Sequence, residues 1–200
     1  MKSRVVVGIS GASGAALGLR VVELLSERMR CEVHLVVSPA GERTLGHEVG
    51  ANALDRLDRL VERRHPVADI GGVIASGSFR TAGMIVVPCS IRTLSAIAHS
   101  AADNLLVRAA DVHLKERRRL VLVVRESPLH LGHIRAMAAA TEYGAIIAPP
   151  VPAFYFRPRT IDDVLDDLAR RSVALLDIAE PPSDIEWAGL PEPALLDGLK

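Results

Sequence analysis

The sequence has few aromatic residues, few cysteines and no excess of charge of either sign. Three Phe, two Tyr and one Trp among 200 residues leave the core to Ala, Val, Leu and Ile. A formal net charge of zero removes the electrostatic basis for binding nucleic acid or an acidic membrane. The two cysteines, Cys31 and Cys89, form neither a disulfide framework nor a metal-ligand spacing, so no metal is expected.

Long hydrophobic runs are also missing. No apolar stretch reaches the roughly 18 residues of a membrane-spanning helix. The first apolar run, which begins after Arg4, breaks at glycines and makes a poor signal peptide. We therefore expect a cytoplasmic protein, and its 200 residues suit a single domain.

The segment from residue 4 to residue 25 organises the chain. Val5–Val7 is a β-branched run typical of a buried strand, and Ala15–Leu25 has a helical pattern. Three glycines follow the run at a spacing of three: Gly8, Gly11 and Gly14. Such a turn before a helix presents free N–H groups to an anion such as phosphate, and Ser10 and Ser13 can add hydroxyl donors. The spacing matches neither the dinucleotide motif nor the P-loop, and a turn without a ligand is the alternative.

A second buried strand is predicted over Cys31–Val37, and it ends at Ser38. Dinucleotide-binding folds place an acidic residue at this point to hold the adenosine ribose. Its absence argues against NAD and for a ligand without an adenosine half. Beyond the strand, a helix is predicted over Ala40–Val49 and a charged amphipathic helix over residues 51–66.

The third predicted strand, Met84–Pro88, runs into a polar segment. Ser90 and Thr93 lie three residues apart at the start of the next helix, so one can cap the helix while the other faces a ligand. Cys89 has the chemistry of a nucleophile, but no base is identifiable beside it. A small buried residue at a strand end is the favoured interpretation of Cys89.

Charged residues follow the next buried strand, Leu120–Val124. Arg125 and Glu126 stand just past its carboxyl end, where an open α/β sheet places its ligand groups. His130 and His133 come soon after them, but no third ligand for a metal is in view.

Half of the aromatic residues are consecutive: Phe154, Tyr155 and Phe156. This clustering favours a pocket for an apolar or planar group, and a hydrophobic plug under a loop is the alternative. A helix is predicted over Asn104–Lys115 and a last, long helix over Thr160–Ile178. The proline-rich tail after it carries Trp187, which we expect to dock on this subunit or on a neighbour.

Strands and helices alternate along the chain, with five strands expected near residues 4–9, 31–37, 83–88, 119–124 and 145–148. The predicted fold class is therefore α/β: a single doubly wound, mainly parallel sheet in a three-layer, Rossmann-like domain. We expect this domain to cover residues 1–180 and an irregular tail to cover residues 181–200.

The motifs, in their order and spacing, resemble those of the flavin prenyltransferases of the UbiX type from residue 4 to residue 187. The motifs are Gly-Ala-Ser-Gly at 11–14, Pro-Cys-Ser and Thr93 within 88–93, Asn-Leu-Leu at 104–106, Arg-Ala-Ala-Asp at 108–111, Leu-Lys-Glu-Arg-Arg at 114–118, Leu-Val-Leu at 120–122, Arg-Glu at 125–126 and Pro-Ala-Phe-Tyr at 152–155. Each motif is weak alone, and the set is specific.

The resemblance implies a flavoprotein that binds reduced FMN as a co-substrate together with dimethylallyl phosphate. The family joins the dimethylallyl group to N5 of the flavin and closes a fourth ring at C6, without a metal. The product, prenylated FMN, serves a UbiD-type decarboxylase. The resemblance also implies a homo-oligomer, commonly a dodecamer with sites at subunit contacts.

The resemblance further implies roles for the residues at matching positions. Those implied to hold FMN are Gly11, Ala12, Ser13, Ser38, Ser90, Ile91, Arg92, Thr93 and Arg125. Those implied to hold the prenyl phosphate are Arg108, Lys115, Tyr155 and Arg171, and Trp187 lies near the family's tail tryptophan. Ser13, Glu48 and Glu126 are implied to transfer protons. Such a set makes chemical sense, because phosphate leaves carbon readily only when its charge is neutralised and it receives a proton.

Two other functions stay open. One is an FMN-dependent decarboxylase of cysteine-type substrates, a related branch with a catalytic His and an Asn-bearing loop; here that loop, Ala75–Phe79, has no Asn. The other is a non-catalytic FMN-binding accessory subunit of an aromatic acid decarboxylase. The four residues implied to hold the prenyl phosphate favour the enzyme, because a pure FMN binder has no use for a second anion site.

Overall fold

A computed structural model describes residues 2–178 of the chain. Six strands form one sheet in the order β3-β2-β1-β4-β5-β6, and every neighbouring pair is parallel. The strands are β1 Arg4–Ile9, β2 Glu32–Val37, β3 Arg63–His65, β4 Gly83–Cys89, β5 Arg119–Val124 and β6 Ile146–Ile147.

Helices connect the strands except between β3 and β4, and the last helix follows the last strand. They are α1 Ala15–Glu23, which continues as a π-helical turn over Leu24–Arg28, α2 Pro39–Glu48, α3 Ala53–Leu60, α4 Ile91–Ala98, α5 Leu105–Lys115, α6 Leu131–Glu142 and α7 Ile161–Ala174. Two single 3₁₀ turns lie at Val73–Ala75 and Phe154–Phe156.

The core divides into two clusters because side chains on a strand alternate between the faces of the sheet. Val5 and Val7 of β1 pack with α1, α2, α3 and α7 on one face. Val6 packs with α4, α5 and α6 on the other. The predicted doubly wound, three-layer α/β domain with a parallel sheet is therefore confirmed.

Two element predictions are wrong in detail. The sequence predicts five strands in the whole chain, and it predicts a single helix over residues 51–66. In the structure, α3 ends at Leu60 and the chain then forms a sixth strand, the edge strand β3. The cause is tertiary: Glu62 donates its N–H to the carbonyl of Val33, and β3 then continues the ladder with β2. Charged Arg63 and Arg64 suit a sheet edge, where they discourage further pairing, but they give no strand pattern in the sequence.

The predicted tail over residues 181–200, with Trp187, lies outside the described residues. Within residues 2–178, no helix combines the length and the apolar composition needed to cross a membrane.

Candidate functional site

The strand order places a crevice between β1 and β4. The chain leaves β1 toward β2 on one side and returns to β4 on the other, and open α/β sheets bind ligands at such a switch point, outside the carboxyl ends of the strands. Ser10 joins the two strands there: its hydroxyl donates to the Pro88 carbonyl at 2.9 Å and accepts from the Ser90 N–H at 2.8 Å. Ser10 is 1% exposed. The prediction that its hydroxyl faces an anion is therefore wrong, because neighbouring backbone uses both its donor and its acceptor.

The glycine turn forms one wall of the crevice. Gly14 has a φ of 105°, a left-handed conformation that a residue with a side chain rarely adopts. A Cβ on Gly11 would lie 2.3 Å from the Cβ of Ala40, so glycine is needed where the start of α2 packs against the turn. Ser13 is exposed on the turn, and Ala12 is half-buried. Residues 11–13 are among those that the resemblance implies to hold the flavin. They offer a ligand mainly backbone groups and one hydroxyl.

The anion at the N-terminus of α1 is a carboxylate of the chain itself. Glu48, at the end of α2, accepts from the N–H of Gly14 at 3.0 Å and from the N–H of Ala15 at 2.7 Å. These are two of the donors that the sequence offered to a phosphate, so any phosphate at this turn competes with Glu48 for them. The structure therefore brings Glu48 next to Ser13 in space.

Ser38 and Ser90 cap the helices that begin beside the turn. Ser38 Oγ accepts from the N–H of Gly41 at 3.0 Å, and Ser90 Oγ accepts from the N–H of Thr93 at 3.3 Å. Thr93 is 4% exposed, and its Oγ1 accepts from Ser90 Oγ at 3.2 Å. Ser90 is thus the capping residue of the pair, and the Thr93 hydroxyl is turned inward. Ile91 is half-buried, and Arg92 is exposed and paired with Asp103.

Cys89 is fully buried, and burial raises the pKa of its thiol to about 12. A neutral buried thiol is a poor nucleophile. The interpretation of Cys89 as a small packing residue at a strand end is therefore confirmed.

Arg125 and Glu126 extend from the carboxyl end of β5, two strands from β1. Both are exposed, and the N–H of Arg125 donates to the carbonyl of Cys89, which ties the segment to the end of β4. Glu126 Oε1 accepts from the N–H of Ser127 at 3.0 Å. Among the described residues, neither side chain forms an ion pair with the other. Both side chains remain available to a ligand at the crevice.

The cations implied to hold the second phosphate lie on α5 and α7, not on the glycine turn or the start of α4. Arg108 and Lys115 are on α5, and Lys115 pairs with Glu116 beside Gly77, in the loop that precedes β4. Since α5 leads into the first residue of β5, Lys115 lies near the amino edge of the sheet. Six strand residues span about 20 Å, which separates Lys115 from the carboxyl-edge crevice of the same chain.

Arg171 is also apart from the crevice, whereas Tyr155 follows the carboxyl end of the edge strand β6. Arg171 is exposed on the last turn of α7, whose C-terminal end reaches the amino edge, where Asp177 pairs with Arg119 at 3.1 Å. Tyr155 is 57% exposed, in the loop after β6, with its ring 4.4 Å from the ring of Phe156. Since Phe154 is also 74% exposed, the alternative of a hydrophobic plug is wrong for this chain.

The histidine segment has a local structural use. Nδ1 of His130 accepts from the N–H of Gly132 and so caps α6, and the rings of His130 and His133 lie 3.5 Å apart. Within the described part of the chain, no three residues of the His, Cys, Asp or Glu type group to hold a metal ion.

Sequence reasoning named two residues but missed their structural roles. Ser10 joins the crevice walls, and the sequence gives no signal for this role, because its partners are about 80 residues away. Asp111 pairs with Arg108 at 2.7 Å, and the spacing of three residues on a predicted helix is a signal that could have identified it.

Comparisons with known proteins agree with this geometry. A family model described as "Flavoprotein" matches residues 1–162. A protein from Thauera aromatica named flavin prenyltransferase UbiX is 53% identical over 175 residues, which cover 88% of this chain and 89% of the relative. The structure of AnUbiX in complex with FMN and dimethylallyl pyrophosphate has a TM-score of 0.90 and 44% identity, covering 96% of this chain and 100% of that one. A dodecameric FMN-dependent UbiX-like decarboxylase from Escherichia coli has a TM-score of 0.87 and 41% identity, covering 94% and 100%.

Proposed function

This chain belongs to the flavoprotein family and, within it, to the flavin prenyltransferases of the UbiX type, and on that premise we propose its reaction. It transfers the dimethylallyl group of dimethylallyl phosphate to N5 and C6 of reduced FMN. The product is prenylated FMN, which a UbiD-type decarboxylase receives. The observation that carries the proposal is the crevice at β1 and β4, where the glycine turn, a capped helix start and the Arg125–Glu126 pair meet at one edge of the sheet.

The crevice fits FMN better than a dinucleotide. The turn over residues 11–13 has no bulky side chain, so a flat ring can approach its backbone. Ser38 stands where a dinucleotide-binding fold places its acid, and its hydroxyl already caps α2. The residues that would hold FMN are Gly11, Ala12, Ser13, Ser38, Ser90, Ile91, Arg92, Thr93 and Arg125. Of these, buried Thr93 would contribute through Ser90.

When bound, reduced FMN supplies the nucleophilic N5 and C6 atoms. Glu126 has its carboxylate at the rim of the crevice, where it can give a proton to the departing phosphate and later accept one. Arg125 next to it supplies positive charge without an internal ion pair among the described residues. Ser13 offers a hydroxyl from the turn. Glu48 lies beside it and accepts hydrogen bonds from the N–H groups of Gly14 and Ala15.

The second anion site belongs to a neighbouring copy in this proposal. Lys115, with Arg108 on the same face of α5, and Arg171 are proposed to reach the crevice of a neighbouring chain, because Lys115 and Arg171 lie near the amino edge of the sheet in their own chain. Tyr155 and its neighbouring aromatic side chains are exposed and would cover the allylic carbon from water, with π faces toward developing positive charge. A homo-oligomer such as the dodecamer of the Escherichia coli relative provides contacts of this kind.

The cytoplasm is the proposed location. Cys31 and Cys89 are free cysteines, as is usual in a reducing compartment.

Anaerobic incubation with reduced FMN and dimethylallyl phosphate tests the reaction directly. We expect the recovered flavin to gain the mass of a dimethylallyl group and to lose the spectrum of FMN. Unchanged FMN with the phosphate intact would contradict the enzyme and favour the accessory subunit. Release of CO₂ from a peptide ending in cysteine would instead favour the decarboxylase.

Calorimetry separates the flavin site from the reaction. We expect FMN to bind more tightly than FAD or NAD, because the crevice has no group for an adenosine ribose. Tighter binding of FAD or NAD would contradict the assignment of the crevice.

A further inference from the structure

The outward side of α5 carries two cations and a carboxylate in one row. Arg108, Asp111 and Lys115 are spaced three and four residues apart, so they lie on one face of the helix. The residues buried on its other faces are Leu105, Leu106, Val107, Ala109, Ala110, Val112 and His113. The row therefore faces away from the core and lies on the outer surface of α5.

Each cation of the row is already held by a carboxylate of the same segment. Nη1 of Arg108 lies 2.7 Å from Oδ2 of Asp111, and the two side chains are 34% and 29% exposed. Nζ of Lys115 is paired with Glu116, and a Cβ on Gly77 would press on this pair. Asp111 is the member of the row that stands between the two cations.

A phosphate that contacts both cations lies next to Asp111. Residues three and four apart on a helix have Cβ atoms about 5–6 Å from each other, and Asp111 is such a neighbour of both Arg108 and Lys115. The phosphate and the carboxylate then share the Arg108 guanidinium, whose five N–H donors can serve two acceptors. Their negative charges repel each other at this distance, and the repulsion grows with the charge of the ligand.

We propose that Asp111 is a specificity-determining residue that disfavours a prenyl diphosphate relative to the less charged monophosphate. The inference rests on the proposed function, because it takes Arg108 and Lys115 as ligands of the prenyl phosphate. Asp111 contacts a cation and not the reacting carbon, so its effect belongs to binding and not to the chemical step.

The variant Asp111→Asn tests the proposal, since it keeps the shape and removes the charge. The KM for dimethylallyl phosphate and the inhibition constant of dimethylallyl diphosphate against it are measured for the wild type and the variant. In the variant, we expect the inhibition constant of the diphosphate divided by the KM of the monophosphate to fall about threefold to tenfold. This is the scale for one charge about 6 Å away in a largely aqueous setting. The kcat for the monophosphate stays near the wild-type value.

Two further variants serve as controls. Asp58, on α3, pairs with Arg64 of β3 at 2.7 Å. Asp58→Asn therefore removes the same charge from another Arg–Asp pair and should leave the ratio unchanged. Asp111→Glu keeps the charge and should keep the wild-type ratio, which separates charge from a fault in folding.

An unchanged ratio in a folded Asp111→Asn protein overturns the proposal. An equal rise in the KM of the monophosphate and in the inhibition constant of the diphosphate overturns the proposal as well, because Asp111 would then only orient Arg108. Turnover of the monophosphate by the wild type is measured in the same assay, so a failure of the proposed function is seen before any variant is compared.

Discussion

The carboxylate of Glu48, at the end of α2, accepts a 2.7 Å hydrogen bond from the N–H of Ala15, the first residue of α1. A second hydrogen bond comes from the N–H of Gly14. Helix starts are usually capped by the residue just before them, but Gly14 has no side chain, and Glu48 takes that part from 33 residues away in sequence. The hydrogen bonds connect the glycine turn to α2, and so they fix two walls of the crevice relative to each other.

Removal of the Glu48 carboxylate should destabilise the fold as the loss of a helix cap does. We expect Glu48→Ala to lower the free energy of unfolding by about 1 kcal/mol, and Glu48→Gln to lower it less, since an amide oxygen still accepts. Urea unfolding measures both. Arg43→Ala on the same helix is the control, because the Arg43 side chain forms no hydrogen bond or ion pair within the described residues. Equal stability of Glu48→Ala and wild type would contradict the capping role.

Residues from two copies in one site should allow two inactive variants to restore each other. Lys115→Ala and Glu126→Gln each lose turnover, Lys115→Ala while keeping FMN, since one charge-assisted contact is worth about 1.5–3 kcal/mol. When both chains are co-expressed at equal levels, about a quarter of the sites receive an intact α5 and an intact crevice, so about a quarter of the activity returns. Turnover of the purified mixed oligomer is the measurement.

The matching control co-expresses Lys115→Ala with a chain that carries both substitutions. No site in that mixture has an intact Lys115, so its activity stays at the background of the single variants. If the first mixture is no more active than this control, the residues act within one chain, contrary to the proposal.

Glu126 should be needed for chemistry and not for binding. Glu126→Gln preserves the shape and the hydrogen bond from Ser127 but cannot transfer a proton. We expect it to bind FMN and dimethylallyl phosphate and to form prenylated flavin at least about a hundredfold more slowly, the usual scale for a lost acid–base group. Single-turnover spectra without oxygen measure the rate. A wild-type rate would remove Glu126 from the mechanism.

A buried histidine should make the stability depend on pH. Burial lowers the pKa of His113 to about 4, while its Nε2 contacts Thr81 Oγ1 and its Nδ1 contacts the Ala109 carbonyl. Between pH 6.5 and pH 4 the unfolded chain takes up a proton that the folded chain does not, so stability is complete above pH 6.5 and is lost as pH falls. For one such group, the loss from pH 7 to pH 4.5 is about 2 kcal/mol.

The variant His113→Gln removes this titration, and its unfolding free energy should fall less over the same interval. Urea unfolding at the two pH values gives the comparison. His47→Gln, on the exposed side of α2, should behave as the wild type does. A slope for His113→Gln that equals the wild-type slope would assign the pH dependence to other groups, such as His65, whose pKa is also lowered to about 4 by burial.

The sequence was informative where a local pattern matched a local structure. Val5–Val7, the glycine turn and the helix after it could be predicted because strand, turn and helix each follow from neighbouring residues. The edge strand β3 could not, since Arg63 and Arg64 have no alternation and form a strand only because β2 is beside them. Local reasoning therefore identifies the central strands and overlooks an edge strand that tertiary pairing creates.

The candidate site shows the same limit. Ser13, Ser90 and Glu126 follow the carboxyl ends of β1, β4 and β5, which share one edge of a parallel sheet, so a predicted fold already implies their common edge. Glu48 stands at the end of α2 and reaches this edge only because α2 packs against the glycine turn. The separation of Lys115 from that edge depends on the direction in which α5 runs across the sheet. The identity of the site residues alone does not reveal this direction. The opposite roles of Ser90 and Thr93 also required the structure, because either hydroxyl could have faced outward.

The hydrogen bond between Ser10 and Ser90 joins residues that are 80 positions apart, and this separation bears on the order in which the molecule assembles. The β1–β2 pair and its helix can form from a short stretch of chain, but β1 and β4 meet only after a long loop has closed, which is entropically costly and slow. The crevice does not exist before that closure. During refolding, flavin binding would therefore report the completion of the sheet rather than the appearance of the glycine turn.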